Sequence, residues 1–232
     1  MVMRPTPRPE RSTAILGAAV LLTALFGGCS LDPVANGAIK ALGDEDPNIP
    51  RGPYHRQGQP CNLCHSDSGP ASDKKFAVAG TVFVDPFGRR GSKNTWVRVR
   101  DATGNTVCKT TNCKGNFFFF DEDFTPAGQF QGKAGPAFPL LVSVQRPLPG
   151  DPVGKTRAMS SHIGREGACA GCHRPALPDA QNRPQIASFD TPGVVRLYET
   201  EEEANKAIPF DPNEICPPNE PEVLIPCPET PL

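Results

Sequence analysis

Two thiols with two residues between them, followed at once by an imidazole, form a compact set of reactive groups, and this chain carries that set twice. Cys61-Asn62-Leu63-Cys64-His65 and Cys169-Ala170-Gly171-Cys172-His173 both read Cys-x-x-Cys-His. On one turn of chain, thiols at this spacing can each form a thioether with one haem vinyl group, and the adjacent His then offers its imidazole to the iron. With nine Cys and four His in the chain, one chance match is improbable and two far more so. The motifs imply two covalent c-type haems, attached at Cys61, Cys64, Cys169 and Cys172, with His65 and His173 as proximal ligands.

The remaining histidines extend this reading. His55 lies ten residues before His65, and His162 lies eleven before His173. Each motif thus has one spare imidazole upstream at nearly matched spacing, in a loop containing Gly or Pro. Bis-histidine ligation is expected at both irons, with His55 and His162 as distal ligands. Met159 competes for the second iron, where a thioether ligand would raise the potential. Spacing does not say whether each spare His serves its own haem or the other. The bland alternative is a pair of surface residues titrating near neutrality.

These motifs must be positioned by a chain rich in loops. It holds 28 Pro and 22 Gly in 232 residues, against usual shares of about 5% and 7%. Arg4, Arg8 and Arg11 precede an apolar run from Ala14 to Phe26, a pattern that reads as an export signal and is short for a membrane span. Leu25-Phe26-Gly27-Gly28-Cys29 resembles a bacterial lipobox, although Phe26 stands where Leu is usual. The resemblance implies a lipid on Cys29, and Ser30 after it implies sorting to the outer membrane of a bacterial envelope, facing periplasm or cell surface. Simple cleavage, leaving Cys29 as a free thiol, is the other outcome.

Residues 1–28 are then the signal and 29–52 a tether. Residues 53–75 are a first haem-binding segment, 76–146 a β-sandwich, 147–180 a second haem-binding segment, and 181–232 a Pro-rich extension. The sandwich rests on alternation: Phe76 to Val84, Thr95 to Arg100 with Arg98 and Arg100 facing water, Thr106 to Thr111, Asn116 to Phe120 and Leu140 to Val144. Polar turns separate these runs, as in an antiparallel sandwich. The run Phe117-Phe118-Phe119-Phe120 is expected to face core and haem by turns rather than to form an exposed strip. Val194 to Tyr198 reads as a further strand and Glu199 to Ala207 as a short helix. Its acidic cluster reads as a solvated face, with a docking patch for a basic redox partner as the alternative. From Pro209 onward eight prolines indicate an extended surface segment.

The segments Ala79-Gly80-Thr81-Val82-Phe83, Val97 to Asn105, Thr110-Thr111-Asn112 and Gly115-Asn116-Phe117 together resemble the carboxypeptidase-regulatory-like (transthyretin-like) module. The resemblance covers residues 76–146 and implies a mainly β, antiparallel sandwich that is a folding or adhesion unit without catalysis. Modules of this kind also occur in exported bacterial proteins with a Cys-x-x-Cys-His segment after the sandwich, as Met159 to His173 is here. The second motif before the sandwich departs from that pattern.

Four cysteines remain: Cys108, Cys113, Cys216 and Cys227. In an oxidising compartment an even remainder implies disulfides. Of three pairings, sequence locality favours Cys108–Cys113 and Cys216–Cys227.

A net charge of −1, or −3 without residues 1–28, and the lack of a basic run after Arg11 exclude a nucleic-acid binder. The expected function is electron transfer between redox partner proteins by an exported, lipid-anchored dihaem c-type cytochrome, not an enzyme. Alternatives are a haem sensor or small haem enzyme with an open iron site, a zinc protein using both Cys pairs, and an adhesion module. Zinc explains neither the His after each pair nor the 104-residue gap between pairs, against the usual ~15–20. If the two ends of the sandwich lie side by side, the haems meet.

Overall fold

The computed structural model describes residues 32–47, 49, 52–125, 135–211, 214–218 and 225–227. The export signal and Cys29 lie outside them. No helix among the described residues is long and apolar enough to cross a membrane.

The chain is mainly β, with two antiparallel sheets and few helices. β1 (Val78–Thr81) pairs with β4 (Asn116–Phe119) as a two-stranded ribbon, with Gly80 opposite Phe117. β2 (Trp96–Arg100), β3 (Thr106–Thr110), β5 (Leu141–Leu148) and β6 (Asp151–Ala158) form the second sheet in the order β3-β2-β5-β6. Period-two alternation places Val97 and Val99 of β2, Val142 and Val144 of β5, and Phe117 and Phe119 of β4 in one shared core. Val97, Val99 and Phe119 have no exposed surface. Phe118 of β4 and Phe120 just beyond it turn the other way, so the Phe run does face two sides.

Several elements differ from expectation. β1 is shorter than Phe76 to Val84 because the chain changes partners after Thr81. Phe83 donates its amide to Val195 (2.8 Å) and Val84 to Arg90 (2.8 Å). The carboxylate of Asp85 holds the intervening turn by accepting from the amides of Phe87 and Arg90, at 2.9 and 2.8 Å. Val194 to Tyr198 is no strand, but it touches Phe83 through an isolated bridge. β6 was not expected, since an exposed edge strand reading DPVGKTRA has no apolar alternation.

α1 (Pro33–Ala41) lies in the segment read as tether; the Asp32 carboxylate accepts from the Val34 amide (2.9 Å) and Pro33 starts the helix. α2 (Cys169–Cys172) is the second motif itself. In α3 (Glu201–Ala207) the Thr200 hydroxyl accepts from the Glu203 amide (3.1 Å), and Ala204 is buried in the core.

The disulfide pairing is corrected. Cys108 is bonded to Cys227 and Cys113 to Cys216. Cys108 sits in β3, and extended chain advancing about 3.3 Å per residue carries Cys113 beyond the ~7 Å that a disulfide tolerates between Cα atoms. The Pro-rich tail is therefore tied to the sheet. Ile225 donates its amide to the Cys108 carbonyl (3.1 Å) along β3, the sheet's edge strand. Arg98, the cross-strand partner of Cys108, is buried on the face from which that disulfide leads to the tail, not facing water as expected, whereas Arg100 is exposed.

Candidate functional site

Each motif folds as a single helical turn. In the first, a 3-10 turn over Cys61–Leu63, the amides of Cys64 and His65 return to the Cys61 carbonyl at 3.1 and 2.9 Å. In α2, the His173 amide returns to the Cys169 carbonyl at 2.7 Å. Two thiols and an imidazole thereby emerge together from each turn.

The imidazoles are oriented by carbonyls remote in sequence. His65 donates Nδ1–H to Lys74 O (2.7 Å), and His173 donates Nδ1–H to Gly193 O (3.0 Å). A carbonyl has no proton to give, so Nδ1 is the donor in both rings and Nε2 carries the lone pair of the neutral form. A ligating His is commonly held in this way by a second hydrogen bond. His55 repeats the arrangement with the Gly52 carbonyl.

At the first site a cleft of about 570 Å³ is bounded by Cys61, Cys64, His65 and His55 and walled by Phe76, Phe118 and Phe120. The His65 ring stacks on Phe76 (4.1 Å between centroids), which stacks on Phe118 (4.4 Å). The rings of His55 and His65 lie 5.9 Å apart. A metal bound to two imidazoles through bonds of about 2.0–2.1 Å sets the centroids on the order of 6 Å apart, so this spacing suits a shared ion. Burial lowers the His65 pKa from its ordinary value, more than its hydrogen bond to Lys74 raises it, which favours the neutral ring that binds metal. Arg56, half-buried at the cleft, is held by Gln59 Oε1 (2.8 Å) and Gly43 O (3.0 Å). Behind the Phe wall, buried Lys109 pairs with Asp123 (2.6 Å) and lies 5.1 Å from the Phe120 ring centroid.

At the second site a cleft of about 630 Å³ is lined by Cys169, Cys172 and His173 together with Met159 and His162. Both clefts fall in the ~300–1,000 Å³ range of cofactor sites. The second is the more open, with Cys172 and His162 exposed and His173 and Met159 only half-buried. Both expected distal candidates border this cleft, and the structure brings neither into ring contact with His173.

The ribbon brings the two motifs together. The Ala79 amide donates to Gly167 O (2.9 Å), drawing the segment before Cys169 along β1. Gly80 leaves the space this needs: a Cβ there would stand 2.8 Å from Cys169 Cβ and 3.1 Å from a Phe117 ring carbon. Phe117 borders both clefts. Burial pushes the Cys169 thiol up to about 12, and the nearby Cys61 thiol adds to the rise. Burial likewise pushes Cys61 up to about 11. The first thiols of the two motifs are thus half-buried neighbours.

The donor sets are compatible with covalent haem: paired thiols beside an imidazole lone pair, each over a largely apolar cleft. All four motif cysteines are free of disulfides. Among the described residues no group of three or more His, Cys, Asp or Glu is arranged to hold a bare metal ion. The carbonyls of Lys74 and Gly193 had no sequence signal. Gly80 did, since an interior strand Gly marks close backbone approach.

Comparison with protein-family models, with curated proteins and with solved structures found no match to this chain.

Proposed function

We propose that this chain is an exported dihaem c-type cytochrome that transfers single electrons between redox partner proteins. The observation that carries the reading is the repeated turn: two thiols beside an imidazole whose Nδ1 is tied to a remote carbonyl, leaving Nε2 free at a cleft. Cys61, Cys64, Cys169 and Cys172 would hold the haems as thioethers, and His65 and His173 would be proximal ligands. When bound, the haems supply one-electron Fe(III)/Fe(II) couples.

The chain's own groups set the conditions for that chemistry. The carbonyls of Lys74, Gly193 and Gly52 fix ring tautomer and direction and make the opposite nitrogen more basic. The Phe76–Phe118–Phe120 wall gives the first cleft an apolar side on which a haem face would pack. Arg56, paired with Glu45 (3.5 Å), lies at this cleft, where its guanidinium would neighbour an acidic haem substituent. His55 would close the first iron as the distal ligand, and His162 or Met159 the second. The exposed second site is the face at which a redox partner exchanges electrons. The finer fold reading, a transthyretin-like sandwich, belongs to this proposal and is supported by the two antiparallel sheets sharing one core. Lipidation of Cys29 and an outer-membrane address belong to it as well.

The openness of the second site favours one alternative there, an iron with a free position suited to gas sensing or small-molecule chemistry. A pyridine haemochrome assay on protein matured with a cytochrome c assembly system tests the main reading. Two c-type haems per chain are expected, falling to one in Cys61→Ala/Cys64→Ala and in Cys169→Ala/Cys172→Ala. A colourless protein carrying zinc would sink it.

A further inference from the structure

We propose that Asn112 and Asn116 are positioning residues for His55 and so determine how the first iron is ligated. The inference rests on the haem reading above. His55 stands in residues 52–58, which have no regular secondary structure of their own. What orders them is the turn joining β3 to β4. Asn112 donates Nδ2–H to Pro53 O (2.7 Å), and Asn116 donates Nδ2–H to Pro53 O (3.1 Å) and to the carbonyl of His55 itself (3.2 Å). Gln57 Nε2 donates to Lys114 O (2.8 Å), and the Gly58 amide donates to Thr81 Oγ1 (2.8 Å). Both asparagines are buried, at 6% and 7% exposure.

The two ends of each amide have separate tasks. Asn112 Oδ1 accepts from the amides of Lys114 and Asn116, both at 3.0 Å, and so builds the turn. Asn116 Oδ1 accepts from the Thr81 hydroxyl (2.7 Å) and so joins β4 to β1. The nitrogens are left to hold the His55 loop. Alternation on β4 puts Asn116 on the same face as Phe118, and both line the cleft with Phe120, so the group that anchors His55 continues the wall of the cleft. The Cys113–Cys216 disulfide and a bond from Tyr54 OH to Pro217 O (2.6 Å) secure the same corner from the tail. The distal histidine is thereby part of the β scaffold rather than of a free lid. At the second site Met159 and Ile163 are tied to Val142 and Leu140 by backbone hydrogen bonds (3.0 and 2.9 Å), but His162 between them is exposed, with no hydrogen bond to its ring among the described residues.

Asn→Asp replacements separate the two tasks, because an aspartate keeps the turn-building oxygen and turns a second oxygen toward the loop carbonyls, where a donor is required. In holo Asn112→Asp/Asn116→Asp, two haems per chain are expected by haemochrome assay. Reduced protein should bind carbon monoxide at one haem at least tenfold more than wild type, with a high-spin signal approaching that of His55→Ala. If both haems stay six-coordinate and low-spin in the double variant while His55→Ala becomes high-spin, the positioning role is overturned. If His55→Ala itself leaves the first haem low-spin, His55 is not its ligand and the proposal fails with that assignment, the haem count still standing. Should the double variant be recovered without haem, Gln57→Leu decides. It removes the contact to Lys114 and leaves the turn intact, so added carbon monoxide binding at one haem supports the proposal and none overturns it.

Discussion

The two Cys-x-x-Cys-His segments have the same local form and different surroundings. Each is one helical turn with an imidazole tied through Nδ1 to a distant carbonyl. Around the first, three Phe rings, a second His ring at 5.9 Å and a loop sewn to the β3–β4 turn line the cleft. Around the second, Cys172 and His162 are exposed and no element folds over the imidazole. Five residues are thus enough to specify a turn that presents two thiols and an imidazole. What lies on the far side of the cleft is supplied by other strands and loops, and that decides how far the imidazole is exposed.

The largest expected contrast is in distal ligation. Reduced wild-type protein should leave the first haem closed to carbon monoxide, and His55→Ala should open it fully. His162→Ala and Met159→Leu, compared at the second haem, identify its ligand by which variant gains a high-spin signal. Carbon monoxide binding to a single haem in wild type would sharpen the contrast, making the second site the open one. Equal binding at both would break it.

Thiol reactivity before haem attachment tests the same difference in burial. A thiol raised to about 11, as Cys61 is, presents on the order of one thiolate per thousand molecules at pH 8. Cys169, at about 12, presents fewer. Cys172 is exposed and should be alkylated first, with Cys61 and Cys169 slower by at least a hundredfold. Thiolate rises tenfold per pH unit below the pKa, so the Cys61 rate should climb steadily to about pH 11 and that of Cys169 to about pH 12. Mass spectrometry of timed quenches measures this, and rapid labelling of Cys169 at pH 8 would contradict the packing of the motif on β1.

The smallest effect concerns the shared wall. Gly80→Val forces methyl groups against Cys169 and Phe117 and should cost about 1–3 kcal/mol by overpacking. Calorimetry should register a drop of several degrees in Tm. The second site should be disturbed more than the first, because Cys169 is the nearer thiol. Loss of the first haem alone would show that Gly80 serves the other side of the ribbon.

Some of this was legible in residue types at short range. Val97 and Val99 alternate with Arg98 and Arg100, so β2 was readable; β6 was not, because its residues face solvent on both sides and leave no pattern. The core-facing and cleft-facing halves of Phe117 to Phe120 followed from strand geometry. Locality misled the disulfide pairing, since cysteines close in sequence were held apart by extended chain while the tail folded back over a hundred residues. Arg98 misled as well: alternation assigned it to water, yet it is buried on the face that carries the disulfide-bonded Cys108.

By itself the sequence determined the two Cys-x-x-Cys-His turns, their neighbouring histidines and a β-rich centre, because those depend on spacing within a few residues and on period-two burial. Tertiary structure alone decided that Cys61 and Cys169 become neighbours beside β1, that the rings of His55 and His65 come within 5.9 Å, and that the second motif is left more exposed than the first. These are contacts between segments tens of residues apart. Their partners are mostly backbone carbonyls and vacant space, such as those of Lys74, Gly193 and Gly80, which carry no side-chain signature for a sequence to display.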